Sequence, residues 1–329
     1  MTIKIPNIAV VGCGDWGKNL VRNYHELSAL AAIATTADDS SNTMQGLYDV
    51  PVRSMTDILA DDSIDGVVIA TPSDKHYKLA RVALMAGKHT FVEKPLVHTT
   101  KQAQELCELA EERGLTLMVG HLLRYHPAFL KVQELVNEGR IGTLHHMAAS
   151  RLNLGKILGH ENILWDLAPH DLSMAMALFG EVPHSVQAVG QGYCDRTLED
   201  IVTVSLGFSN HRHATISLSR LSPYKEQRLV LQGTDGMILF GDTESWGKKL
   251  QFFNCSIDNA ATAFKQPRQD VIIPLDEGEP LKEECKHFID CIRNGIKPLT
   301  DGYEALKGIQ ILEQADACLK AKIGARKAG

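Results

Sequence analysis

The 329-residue chain has no apolar run near the roughly 20 residues that a membrane span needs, so a transmembrane helix is excluded. It has no block of five or more basic residues, and its net charge of -6 is mixed in sign along the sequence. That argues against a nucleic-acid or membrane-surface partner. The seven cysteines (Cys13, Cys107, Cys194, Cys255, Cys285, Cys291 and Cys318) are scattered and form no C-x-x-C pair, so free thiols are expected rather than a disulfide framework. No long apolar segment precedes Ile8, where a strand is expected in place of a leader, and a cytoplasmic location with it. Histidine is plentiful at 14, but His145-His146 and the pair His211 and His213 lack a neighbouring Cys, Asp or Glu to complete a site, and no metal is expected. What remains, 44% apolar and 22% charged residues, describes a soluble globular protein long enough for two domains.

The organising stretch is Ile8-Ala9-Val10-Val11-Gly12-Cys13-Gly14-Asp15-Trp16-Gly17. Four apolar residues suit a buried parallel strand, and the glycines follow as G-x-G-x-x-G. Leu20, Val21, Tyr24 and Leu27 then fall at helical spacing, giving strand, turn and helix in the order a dinucleotide site requires. Gly12 permits the tight turn, Gly14 the approach of a pyrophosphate, and Gly17 close packing of helix on strand. The phosphates would sit on the N–H groups at the start of that helix. An acidic residue about 20 positions beyond the glycines is expected at the ribose, and Asp38 is the candidate. The alternatives are a solvated turn over Asp38–Asn42, or a strand ending early enough to put Thr35 or Thr36 there.

Strands are expected at 31–36, 67–70, 89–92 and 115–119, and helices at 73–85 and 101–113. Short connections between them imply a doubly wound parallel sheet, with ligands beyond the C-terminal strand ends, where Thr71, Lys94 and His121 fall. After about residue 122 the pattern changes to alternating segments at 201–206, 214–218, 228–233 and 237–240. These suggest a largely antiparallel open sheet, closed by helices at 280–293 and 303–322. The chain is therefore read as α/β: a Rossmann domain over 1–121 and an α+β domain over 122–329, whose broad sheet calls for a second subunit.

Two stretches carry chemistry. In Glu93-Lys94-Pro95 a lysine stands at a strand end with its backbone restrained by proline, where a nicotinamide edge should lie. In the segment Asn162–Asp171, Pro169 suits the first turn of a helix, and Asp166 and His170 share a face if that turn is already wound. His170 is the best general base in the chain; the plain alternative is a core histidine. Asp171 reads as a helix-terminus charge.

With these motifs in register, the chain resembles the Gfo/Idh/MocA oxidoreductases over nearly its whole length, and Gly120–Pro127 and Trp165–Leu172 resemble most the nucleotide-sugar 3-dehydrogenases among them. The resemblance implies an NAD cofactor, with NADP left open because Thr35-Thr36 stands where relatives carry aspartate. It implies Lys94, His170 and Asp166 as catalytic residues, and Gly12, Gly14, Asp15, Trp16, Gly17, Asp38, Thr71, Pro72, His76 and Glu93 around the cofactor with Lys94. Lys94, His121, Arg124, Arg151, Asn162, Asp166, His170 and Arg228 would meet substrate, Tyr224 and Lys225 standing with Arg228 as candidates for a diphosphate. The implied reaction oxidises C3 of a UDP-N-acetylglucosamine-like sugar to a ketone, for a partner aminotransferase in amino-sugar and lipopolysaccharide synthesis. Rival readings are an inositol or other sugar dehydrogenase, a nicotinamide-using glycoside hydrolase, and an NAD(P)-sensing regulator; the intact Lys94 and His170 argue against the last.

Overall fold

A computed structural model describes residues 5–35, 46–155, 162–194, 198–254 and 268–327. The apolar run Ile8–Val11 forms β1 and is buried at every position, as expected for a strand covered on both faces. α1 (Gly17–Glu26) follows the glycine turn, then β2 (Leu30–Ala34), α2 (Met55–Ala60), β3 (Gly66–Ile69), α3 (His76–Met85), β4 (His89–Glu93), α4 (Thr100–Glu112) and β5 (Leu117–Gly120). The five strands make one sheet in the order β2-β1-β3-β4-β5, every pair parallel. Small departures from the sequence reading have local causes. Leu115 donates its N–H to Ala110 O at 2.9 Å, so it finishes α4 and the strand starts two residues later. Ser73–Lys75 winds as a 3₁₀ turn, and the α-helix begins at His76.

Next come α5 (Pro127–Asn137), β6 (Leu144–Leu154), α6 (Ile163–Phe179), β7 (Ser185–Gln191), β8 (Ile201–Gly207), β9 (His213–Ser219), β10 (Leu221–Gly233), β11 (Met237–Gly241), β12 (Leu250–Asn254) and β13 (Arg268–Ile272). Their sheet runs β13-β12-β11-β10-β6-β9-β8-β7, antiparallel except for the parallel pair β6 and β9. The expected strand at 228–233 is the second half of β10. Its first half contains Pro223, tolerated because the register with β6 slips between Leu221 and Glu226, where a residue without an N–H costs no ladder bond. α6 packs against β6, β8 and β9.

The chain ends in α7 (Pro280–Asn294) and α8 (Gly302–Lys327). The chain folds as two units, residues 1–125 with 279–309, and residues 126–278 with 310–329. The sequence reading cut the chain once, after residue 121. Leu281, Cys285, Phe288 and Ile289 form a helical stripe on α7 that joins Ile8, Val10, Leu20, Tyr24, Ile33 and Phe91 in one buried cluster. The Phe91 and Phe288 ring centroids lie 5.7 Å apart. No described helix is long and apolar enough to cross a membrane.

Candidate active site

The glycine turn is built as its spacing predicts. Gly12 has φ +96°, and a Cβ there would lie 2.5 Å from Ala70 O; a Cβ on Gly17 would overlap Gly12 O. At Gly14, by contrast, no atom of the described residues beyond its chain neighbours lies within 4 Å of where a Cβ would be. The turn is thus sealed against β3 on one side and open on the other, the shape a pyrophosphate cradle needs, with the N–H groups of α1 beyond it. The open side faces a cleft of ≈ 550 Å³ whose lining includes Gly12, Gly14, Thr35, Arg53, Thr71 and Pro72. These residues fit a dinucleotide. Cys13 is buried in the turn, and burial pushes its thiol up to about 11, so it stays protonated at neutral pH. Asp15 is solvent-exposed. Asp38 and Thr36 lie outside the described residues.

At the C-terminal end of β4, Glu93 is buried and its carboxylate is held from two sides. Trp16 Nε1 donates to Oε1 at 2.6 Å and the Lys94 backbone N–H to Oε2 at 3.2 Å. The same carboxylate lies against Gly120, where a Cβ would sit 2.8 Å from Oε2. Burial raises the Glu93 carboxyl above its ordinary range, against the opposing pull of Trp16 and Lys94. Trp16 therefore connects the glycine turn to the residue preceding Lys94. His76 is buried with Nδ1 2.8 Å from Pro95 O and Nε2 2.8 Å from Thr71 O, so it joins the loops after β3 and β4. Burial lowers its pKa.

His121 and Arg124, expected at the substrate, are buried beside a shared carboxylate. Glu304 Oε2 lies 3.8 Å from His121 Nε2, and Glu304 Oε1 3.4 Å from Arg124 Nη1. Burial lowers both pKa values; for His121 it outweighs Glu304 and favours the neutral ring.

In the second unit, α6 begins at Ile163, which corrects the placement of Pro169 in the first turn: Pro169 lies inside the helix. The reason is Asn162, whose Oδ1 accepts the Trp165 N–H at 3.4 Å and caps the helix six residues early, with acidic Asp166 in the first turn. Asn162 Nδ2 also donates to Glu199 Oε2 and Asp316 Oδ1, each at 3.2 Å, so this side chain is committed to structure. Asp166 and His170 stand at i, i+4 on one wound helix, and His170 is buried. Asp171 is no terminal charge. It receives Arg151 Nε and Nη2, each at 2.9 Å, in a buried fork that ties α6 to β6. For Arg151, burial alone would lower the pKa, but Asp171, aided by Asp242 and Asp166, raises it. Arg228 is half-exposed on β10 and pairs with Glu226 at 3.1 Å; Tyr224 is exposed.

Sequence reasoning missed Glu304 and Glu284. Glu284 is 0% exposed, and the His121 backbone N–H acts on its carboxyl. Burial, reinforced by the nearby Glu93, raises its pKa well above the carboxylate range. One signal was available: Glu284 interrupts the apolar stripe Leu281, Cys285, Phe288, Ile289.

Residues 6–121 match the model of the oxidoreductase family with an NAD-binding Rossmann fold, and residues 129–239 match the GFO/IDH/MocA C-terminal domain. A UDP-N-acetylglucosamine 3-dehydrogenase from Acidithiobacillus ferrooxidans is 30% identical over 68% of this chain and 70% of its own length. An inositol 2-dehydrogenase from Rhizobium meliloti is 31% identical over 89% of this chain and 88% of its own. The solved structure of the Acidithiobacillus ferrooxidans enzyme superposes with a TM-score of 0.84 at 24% identity, covering 96% of this chain and 98% of that one, and so shares the fold. The chain is an oxidoreductase and belongs to the Gfo/Idh/MocA family.

Proposed function

We propose that this enzyme oxidises a nucleotide sugar at C3, UDP-N-acetylglucosamine or a near relative, to the 3-keto sugar with a nicotinamide dinucleotide as hydride acceptor. The observation that carries the reaction is the Trp16–Glu93 bond, which fixes the residue preceding Lys94 to the glycine turn. In this reading a lysine so anchored stands beside the cofactor's reactive end. The choice of sugar is supported by the Acidithiobacillus ferrooxidans relative. A bound nicotinamide supplies the hydride-accepting carbon. In this reading Lys94 donates a hydrogen bond to the reacting oxygen as negative charge develops, and His170, one turn after Asp166 on α6, is the base that removes the hydroxyl proton.

The test mixes the protein with UDP-N-acetylglucosamine and either NAD or NADP, following reduced-nicotinamide absorbance and assaying for a 3-keto product. Lys94→Ala and His170→Ala should each lose about 100-fold or more in turnover while dinucleotide still binds. Full turnover in both variants would refute the assignment. A second reading, oxidation of an inositol, is favoured by the match of the Rhizobium meliloti enzyme over 88% of its length. Turnover of inositol without turnover of UDP-sugars would select it.

A further inference from the structure

We propose that Arg53 reads the adenosine 2′ position of the dinucleotide and selects a 2′-phosphate, making NADP the preferred cofactor; this deepens the reading above, on which it rests. Residues 51–53 run beside the C-terminal half of β2. Ile33 N–H donates to Pro51 O at 3.1 Å, Arg53 N–H donates to Ile33 O at 2.8 Å, and Ile33 and Val52 form a parallel bridge. Arg53 is thereby held at the strand end where the adenosine ribose of a doubly wound sheet belongs, and it lines the same cleft as Gly12, Gly14 and Thr35.

Its guanidinium is oriented. Nη1 lies 2.5 Å from Asp61 Oδ2, and Asp61 is held in turn at Oδ1 by Ser63 N–H (2.8 Å) and Ser63 Oγ (2.6 Å). That leaves the Nε–Nη2 edge, which hydrogen-bonds no other described residue, to meet a planar or tetrahedral anion with two parallel donors. The charge of the cleft points the same way. Among its described lining residues the ionisable side chains other than the Cys13 thiol are Arg53 and Lys75, both cationic, and none is a carboxylate. A ribose 2′-hydroxyl is ordinarily held by a carboxylate at this position, which the described lining lacks; a 2′-phosphate wants cationic donors.

The experiment is titration calorimetry of the wild-type protein with NADP, NAD, 2′,5′-ADP and 5′-AMP, repeated for Arg53→Gln and Arg53→Lys. NADP should bind at least about 10-fold tighter than NAD, and 2′,5′-ADP correspondingly tighter than 5′-AMP. Arg53→Gln should weaken NADP and 2′,5′-ADP by about 10- to 100-fold and leave NAD within about 2-fold. Arg53→Lys, which keeps the charge but not the fork, should fall between. NAD binding as tightly as NADP in the wild type, or an equal loss of both in Arg53→Gln, overturns the proposal. The wild-type comparison needs no variant, so a misfolded substitution does not decide it. Failure of every dinucleotide to bind overturns the reading of the cleft itself, a result distinct from binding without discrimination.

Discussion

Substituting Asp171 by Asn should destabilise the second unit by about 3 kcal/mol, through the charge it leaves behind rather than the bond it loses. Asp171 and Arg151 side chains are 3% and 8% exposed and share two 2.9 Å bonds. Asparagine keeps the shape and one acceptor, but strands the guanidinium inside the protein. Breaking such a pair from one side costs about 3–5 kcal/mol. Asp242 and Asp166 still act on Arg151, which argues for the lower end. For a unit of this size that corresponds to a fall of about 6 to 12 °C in the midpoint of its thermal transition. Removing both charges in Arg151→Met/Asp171→Leu should cost no more than about 1–2 kcal/mol, because apolar groups of similar volume need no partner. Scanning calorimetry of the wild type, Asp171→Asn, and the cycle of Arg151→Met, Asp171→Leu and their double variant tests this. Single losses below about 1 kcal/mol, or a double variant equal to the sum of the singles, would refute the claim that this ion pair is buried and coupled.

Glu284→Gln should stabilise the protein at neutral pH. The folded-state pKa of Glu284 is raised, so its contribution is fully present below the unfolded value of about 4.3 and is lost as pH rises through the folded value. The amide carries no such dependence, so its advantage should be largest at pH 7, where it cannot exceed about 3–4 kcal/mol, and vanish near pH 4. Urea midpoints at the two pH values test this, and a variant less stable than wild type at pH 7 contradicts it. Gly17→Ala places a Cβ into Gly12 O, so the turn must open: dinucleotide affinity should fall at least about 10-fold, with a stability loss of about 1–3 kcal/mol. Unchanged affinity by calorimetry would show that the turn is not the phosphate cradle.

The first half of the fold was legible because its signals are local. A buried parallel strand is a largely apolar run, and Ile8–Val11, Gly66–Ile69 and His89–Glu93 are each followed within a few residues by glycine or proline, so their order could be read directly. The second half was harder. β6, the strand paired with both β10 and β9, begins Leu144-His145-His146 and carries a buried arginine, so its alternation is blurred by polar residues that find partners only in the folded sheet. β10 was half missed because Pro223 reads as a terminator unless the bulge beside it is known. The candidate site divides in the same way. Residue types and strand ends point to Lys94 and His170 unaided. Trp16 bonding Glu93, 77 positions away, or Glu304 lying beside Arg124 from 180 positions away, are contacts that no spacing rule encodes.

The position of α7 has a consequence for synthesis. The first sheet is complete in sequence at Gly120, yet the stripe Leu281, Cys285, Phe288, Ile289 that covers one of its faces lies about 160 residues downstream. At about 5–20 residues per second, a ribosome needs roughly 8 to 30 s to deliver it. Throughout that interval the apolar surface built around Ile8, Leu20 and Phe91 waits without its cover. A nascent chain stalled or truncated before residue 280 would present that surface to chaperones and to other nascent chains.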